Sequence, residues 1–404
     1  MSFGQGLSGL NAAAQELDVI GNNIANAGTV GFKAGSASFA DVYAQSRVGL
    51  GVQLAAVKQR FSVGNVNITG NQYDMAIDGE RGLFRVTDPS GRVLYTRNGQ
   101  FDVDANNYLV NAQGQRLTGY APGSTDLVAI KRPVENVDPV ATTRIDNSVT
   151  FNANAKVVPS SPAFDPANAD TFTNMTTVTV YDSLGNSHSV QQYYIKRDQT
   201  NGESVWEVAV RVDGKVPDEG GSTQYRFDKS GHLLGDAAGN ISSVVTVNAP
   251  GAAGSPADPL AITISYAGAK QFGGTFNNNV TQDGAATGEY AGMSVAKDGS
   301  IIANYTNGAK QTLGTIALAD FNNLQGLKPV GGNAWEETAA SGQAILGTPG
   351  SNGLAMLKGQ AVEASNVDMS AELVNMIVAQ RSYQANAQTI KTQDQVLQTL
   401  MTMR

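Results

Sequence analysis

The 404-residue chain has no cysteine, which excludes disulfides and any chemistry that needs a thiolate nucleophile or a thiolate metal site. Histidine is almost absent as well. Only His188 and His232 occur, each beside a glycine turn, so they read as solvated loop residues and leave little for a metal or a general base. Charge is scarce at 15%, and what there is gives a net −8 without any Lys/Arg cluster. That argues against nucleic acid or an anionic membrane as partner. No apolar run approaches the ~18 residues of a membrane-spanning helix. The opening MSFGQGLSGLNAAAQ has neither a basic region nor a continuous apolar stretch, so neither a Sec-type leader nor direct membrane insertion is expected.

What remains is a chain with 41% apolar residues, enough for two or three domains, and a surface rich in neutral polar side chains. At the N-terminus Phe3, Leu7, Leu10, Ala14, Leu17, Gly21 and Ile24 recur by fours and threes, a heptad seam on a helix over 1–27. The seam ends among Asn22, Asn23, Asn26 and Gly28, residues that favour turns and left-handed caps. A Gly-rich stretch over 28–70 reads as an irregular connector with short strands, and Gly31 and Phe32 belong to its expected hinge.

Alternating apolar residues broken by Ser90-Gly91, Asn98-Gly99, Asn106-Asn107 and Gln113-Gly114 predict hairpins over 71–145. An outer β domain follows at 146–284, with Trp206, Val208, Val210 and Val212 on one face of a strand and Ile262, Ile264 and Tyr266 on another. NAPGAAGSPADP and FGGTFNNNVTQDGAATG read as loops, and 285–363 as the return of the first β domain. The last segment, 364–404, lacks glycine and proline after Gly359 and predicts one long helix capped by Asn366 or Asp368. Its seam is Leu373, Met376, Gln380, Tyr383, Ala387, Ile390, Asp394, Leu397 and Met401. The fold class is therefore mixed α and β: paired terminal helices, coiled-coil-like, enclosing two inserted and mostly antiparallel β domains. Val19, Val374, Val378 and Val396 fall off the two-helix seam and define a second packing face. The helices carry few charges, so those faces want partners, and the ends are expected to stay largely disordered in the single chain and to become ordered when copies stack.

The stretches LDVIGNNIANAGTVGFKAGSASFADVY and SNVDMSAELVNMIVAQRSYQANAQTIKTQDQVLQTL resemble the N- and C-terminal signatures of bacterial flagellar rod and hook axial proteins. RNGQFDVDANNYLVNAQGQRLTGY and the block around YTNGAKQTLGTIALADFNNLQGL extend the resemblance over most of the chain. Because of the large 146–284 insert, it favours the hook members over the shorter distal rod or hook-associated ones. The resemblance implies a structural subunit at the cell surface that passes through the flagellar type III export apparatus. It also implies assembly on the rod beneath a hook cap into a curved, hollow tube with helices inside and β domains outside, acting as a universal joint to the hook-filament junction proteins.

Competing chemistry is weak. GQGLSG at Gly4, Gly6 and Gly9 matches a dinucleotide fingerprint in letters, but no strand precedes it. DVDANN at 102–107 lacks the glycine and bidentate glutamate of a calcium loop. Glu336 and Glu337, adjacent on a strand, would point to opposite faces. No catalytic residue, metal or cofactor is assigned. A second class, an oligomeric surface β-adhesin with helical ends, is separated by its assembly: it predicts a discrete oligomer rather than a tube.

Overall fold

The computed structural model describes residues 3–42, 51–200, 202–235, 244–249 and 256–402. Part of the connector (43–50), part of the NAPGAAGSPADP loop (250–255) and Arg404 lie outside the described residues. The chain is mostly β, with one helix near each end: α1, Phe3–Ala25, and α2, Met369–Thr402. It divides into two compact units. One comprises Met1–Val134, Ala291–Asn304 and Lys310–Arg404; the other comprises Glu135–Tyr290 and Tyr305–Ala309.

In the first unit, the strands Leu83–Thr87, Val93–Thr96 and Arg116–Tyr120 form the middle of a 13-stranded sheet, joined by the late strands Lys310–Ile316 and Ala334–Glu336. The two halves of this domain thus meet by hydrogen bonding between residues far apart in the chain: Trp335 pairs with Tyr95, and Thr315 with Tyr120. Leu83, Tyr95, Ala319, Phe321 and Trp335 fill one side, with Tyr95 and Phe321 edge to face at 4.8 Å.

The connector is more ordered than its composition suggests. Gly35–Val42 and Gly51–Gln59 form an antiparallel ribbon whose register runs from Gly35↔Gln59 to Val42↔Gly51. Ser, Ala and Gly dominate one strand, so the hydrophobic alternation that signals a strand is missing. The ribbon gains its support from α1 instead: Val19 lies against Gly35, and the Ser8 hydroxyl accepts from Val52 N–H at 3.3 Å.

The second unit is a sandwich of two five-stranded sheets. Trp206, Val208, Val210 and Val212 face Ile145, Phe151, Ile262 and Ile264 across its core, as the alternation predicts. The opposite face of that strand is also covered. Ala209, Tyr193 and Ile195 pack against Val158, Phe164 and Phe172, so the Pro-rich segment after 156 is a lid on the sheet. FGGTFNNNVTQDG is not simply a loop: Asn277–Gln282 is a strand pairing with Arg144–Asn152. Two parallel pairings, of Arg144–Asn152 with Leu260–Ser265 and with Lys270–Phe272, interrupt the otherwise antiparallel arrangement. The unit is wider than 146–284 because bridges Val137↔Gly288 and Val140↔Ala285 zip its incoming and outgoing strands together.

Candidate assembly surface

α1 and α2 lie antiparallel, Gly6 beside Ile390, Gly9 beside Asn386, and Asn23 hydrogen-bonded to Glu372 at 3.3 Å. Glycine is what allows this approach. A Cβ on Gly9 would sit 2.9 Å from the Asn386 amide and one on Gly6 3.1 Å from Ile390. Gly6, Gly9 and Asn23 therefore meet α2 on a face one residue and about 100° away from the expected seam, and the buried residues of α1 are Gly6, Ala12, Ala13, Ile20 and Asn23.

The expected seam residues fall elsewhere. Leu10, Ala14, Leu17 and Ile24 are half-buried, and Phe3 and Leu7 are exposed. On α2 Met376 and Ile390 are half-buried, whereas Leu373, Tyr383, Leu397 and Met401 are exposed. Small side chains win the inner face because they bring the helices closest, and the bulky aliphatics turn outward. Of the second face, Val19 is half-buried against the ribbon, but Val374 (59%), Val378 (61%) and Val396 (54%) are open to solvent, and Ile377 joins them. Leu373, Val374, Ile377 and Val378 make a continuous apolar patch on the first turns of α2. Both helices are formed and paired within the single chain, so the expectation of ends that order only on stacking is not what the structure shows. The α1–ribbon contact is the partner that the helix periodicity left uncounted.

The turn residues hold a joint together. Asn23, expected to help end the helix, is buried and clamps Gly35, accepting from its N–H and donating to its carbonyl at 2.8 Å each. Asn26 donates to the Asn22 carbonyl and accepts from the Thr29 hydroxyl, while Gly28 is exposed and open. Gly31 has φ +71°, and a Cβ there would lie 2.5 Å from the Asn98 nitrogen, so it is wedged against the strand end rather than free to hinge. Phe32 is half-buried beside it. Asp368 caps α2 through Ser370 and Ala371 N–H, and Asn366 instead binds Ala34 N–H and the Arg60 and Ser62 carbonyls.

Beneath that joint is a buried ionic cluster that sequence reasoning missed. The Lys33 ammonium donates to Glu363 at 2.6 Å and to the Ser62 carbonyl at 2.6 Å. Arg97 donates to the other Glu363 oxygen at 3.1 Å, to the Gly79 carbonyl and to the Glu80 carbonyl. Gly64 N–H completes the Glu363 carboxylate at 2.9 Å. Burial pushes both the Lys33 ammonium and the Arg97 guanidinium below their ordinary values, against the pull of Glu363. The cluster ties the N-terminal signature, the sheet and the approach to α2 into one piece. The single available signal was three charges embedded in apolar runs, GFK, YTR and AVE.

The other singled-out residues do not converge on a site. Gly4, Gly6 and Gly9 are helical, and DVDANN forms a tight turn in which the Asp104 carboxylate accepts from Asn106 and Tyr108 N–H. His232 is exposed, but His188 is buried on its strand, its Nδ1 2.7 Å from Asp213 and its Nε2 3.4 Å from Asp182. It is a core histidine, not a loop one, because the alternation of Ser187–Thr200 turns it inward. Glu337 accepts from the Tyr95 hydroxyl and Glu336 lies 3.8 Å from Lys328. No helix among the described residues is long and apolar enough to cross a membrane.

Helical ends, a β body between them and a large inserted sandwich define an axial protein of the flagellar rod and hook class, and comparison with known proteins agrees. Family models match along the chain: the flagella basal body rod protein at 5–33, the flagellar hook protein FlgE/F/G D1 domain at 76–158, the flagellar basal body protein FlaE D2 domain at 150–285, and the flagellar basal body rod FlgEFG protein C-terminal region at 358–403. The flagellar hook protein FlgE of Escherichia coli is 42% identical over 100% of both chains, and that of Salmonella typhimurium 44% over 100% of both. That of Borreliella burgdorferi is 30% identical over 100% of this chain and 99% of its own. A crystal structure of Helicobacter pylori flagellar hook protein FlgE2 shares the fold at TM-score 0.51 and 15% identity, covering 74% of this chain and 98% of that one. The chain belongs to the flagellar hook protein FlgE family and is a structural subunit of the hook, part of the extracellular flagellum.

Proposed function

We propose that copies of this chain polymerise through their helical ends into a curved, hollow tube that transmits motor torque as a universal joint. The carrying observation is the apolar patch of Leu373, Val374, Ile377 and Val378, exposed on a helix whose opposite face is already occupied. Aliphatic side chains in such a contiguous group mark an interaction surface. A coiled-coil-like packing of α1 and α2, extended between copies through Phe3, Leu7, Leu397 and Met401, would cover what the single chain leaves open. Rod, hook cap, junction proteins and the type III export apparatus are the further partners of this reading, and no catalytic or cofactor role is part of it. The joint around Glu363 supports rigid transfer of load from the helices to the sheet, with flexing placed elsewhere than Gly31.

The test is assembly. Purified protein should polymerise above a critical concentration into tubes visible by electron microscopy. A discrete oligomer that does not grow with concentration would favour the adhesin-like alternative.

A further inference from the structure

The chain contains four Asn-Gly pairs, at Asn98-Gly99, Asn201-Gly202, Asn307-Gly308 and Asn352-Gly353. Such a pair carries its own reagents: the glycine nitrogen attacks the side-chain carbonyl carbon of the asparagine, and with no side chain on glycine nothing screens the approach. Asn201 lies outside the described residues, and the fold treats the other three differently. The Asn307 amide donates to the Ala286 carbonyl at 2.7 Å, and its oxygen accepts from Ala309 N–H at 2.9 Å. The Asn98 oxygen accepts from Gln100 N–H at 3.0 Å, and Gly99 is buried so tightly that a Cβ there would overlap the Met75 carbonyl oxygen.

Asn352 is not held in this way. It and Gly353 are exposed at the corner of a turn closed by Leu354 N–H donating to the Ser351 carbonyl at 2.8 Å, with φ +50° at Asn352 and +78° at Gly353. Neither the Asn352 side chain nor the Gly353 N–H has a hydrogen-bond partner among the described residues. The Arg81 guanidinium lies against the same turn. It binds Asp320 through Nε at 3.0 Å and Nη2 at 2.6 Å, and a Cβ on Gly353 would sit 2.7 Å from its remaining nitrogen, Nη1. A cation beside a group favours the anionic form of that group, and a backbone nitrogen must shed its proton to become a nucleophile.

We infer that Asn352 is a site of spontaneous deamidation, promoted by Arg81. The Gly353 nitrogen bonds to Asn352 Cγ, the side-chain amide leaves as ammonia with the proton that the glycine nitrogen gives up, and a cyclic imide forms. Water then opens the imide at one of its two carbonyls, giving aspartate or, with the main chain rerouted through the side chain, isoaspartate. Water is the sole co-reactant. Either product places a new carboxylate beside Arg81. Isoaspartate also adds a carbon to the backbone inside the turn that seats Leu354, which is buried where a Cβ on Gly347 would lie 2.7 Å from its Cδ1. Each copy therefore acquires a covalent mark of its age at one defined turn of the first unit. The inference does not depend on how copies assemble.

The test is a time course of the unaltered full-length chain in mildly alkaline buffer, read by peptide mapping with mass spectrometry, with isoaspartate counted separately by an isoaspartyl methyltransferase. In the folded protein Asn352 should convert several-fold faster than Asn98 and Asn307. In urea, where every pair is free, the three should convert at similar rates. Conversion of Asn98 or Asn307 as fast as Asn352 in the folded protein would overturn the proposal, as would an Asn352 that stays intact while the unfolded chain converts. Arg81→Gln should slow conversion at Asn352 several-fold in the folded protein and leave it unchanged in urea, and an unchanged folded rate would overturn the role given to Arg81. The first comparison uses the native chain, so it decides even where the variant fails to fold.

Discussion

The Glu363 carboxylate accepts a hydrogen bond from the Lys33 ammonium at 2.6 Å, 330 positions away, with both side chains almost wholly buried. Together with Arg97 they join the last residues before α2 to the first residues after α1. Breaking a buried pair from one side leaves an uncompensated charge, which costs about 3–5 kcal/mol. Glu363→Ala, which strands two cations, should lower the unfolding free energy of the monomer by that amount, read as a lower urea midpoint. Lys33→Met should cost less, because Glu363 keeps Arg97 and the Gly64 N–H. Equal losses in urea unfolding would show that the cluster does not act as described.

Gly9 sits where α1 comes closest to α2. In an isolated helix a Gly→Ala change gains about 1 kcal/mol, whereas overpacking costs about 1–3 kcal/mol. Gly9→Ala should therefore bring no gain and a net loss in thermal unfolding followed by circular dichroism. Trimming the obstructing side chain with Asn386→Ala should make Gly9→Ala favourable, a coupling readable from the double-mutant cycle.

Burial pushes the Tyr95 phenol up to about 12, helped by the neighbouring Glu337 carboxylate. Tyr194, Tyr225 and Tyr266 are pushed up as well, in each case chiefly by burial in the sandwich core. An unfolded tyrosine titrates near pH 10. The folded state holds more protons than the unfolded one above that point, so the contribution of these groups is fully present below pH 10 and is lost as pH rises toward 12 and beyond. Tyrosinate absorbance should show a fraction of the tyrosines ionising only together with loss of tertiary structure. Smooth titration of all of them near pH 10 in the folded protein would contradict the burial assigned to them.

The parts legible in the sequence were those that repeat. The alternation of Trp206, Val208, Val210 and Val212 located a strand and its inner face, because a two-residue period has only two sides. A helix has many, and a heptad count cannot distinguish the seam through Leu7, Leu10 and Leu17 from the neighbouring one through Gly6, Gly9 and Ala13. Hydrophobic size favours the first, while close approach selects the second. The ribbon Gly35–Val42 with Gly51–Gln59 reads as a connector because its stability comes from α1 and from Asn23, neither of which leaves a local pattern. The ionic cluster was hidden for a related reason: Lys33, Arg97 and Glu363 are far apart in the chain, and each alone resembles a solvated charge. Long resemblance at both ends reached the function where periodicity could not.

On this reading the outward apolar face of α2 is covered only by other copies of the chain. Hydroxyl-radical footprinting of monomer and polymer measures that side-chain exposure directly. Leu373, Val374, Ile377 and Val378 should be labelled in the monomer and protected in the polymer, with Val396, Leu397 and Met401 protected alongside them. Tubes in which these residues are labelled as strongly as in the monomer would contradict it.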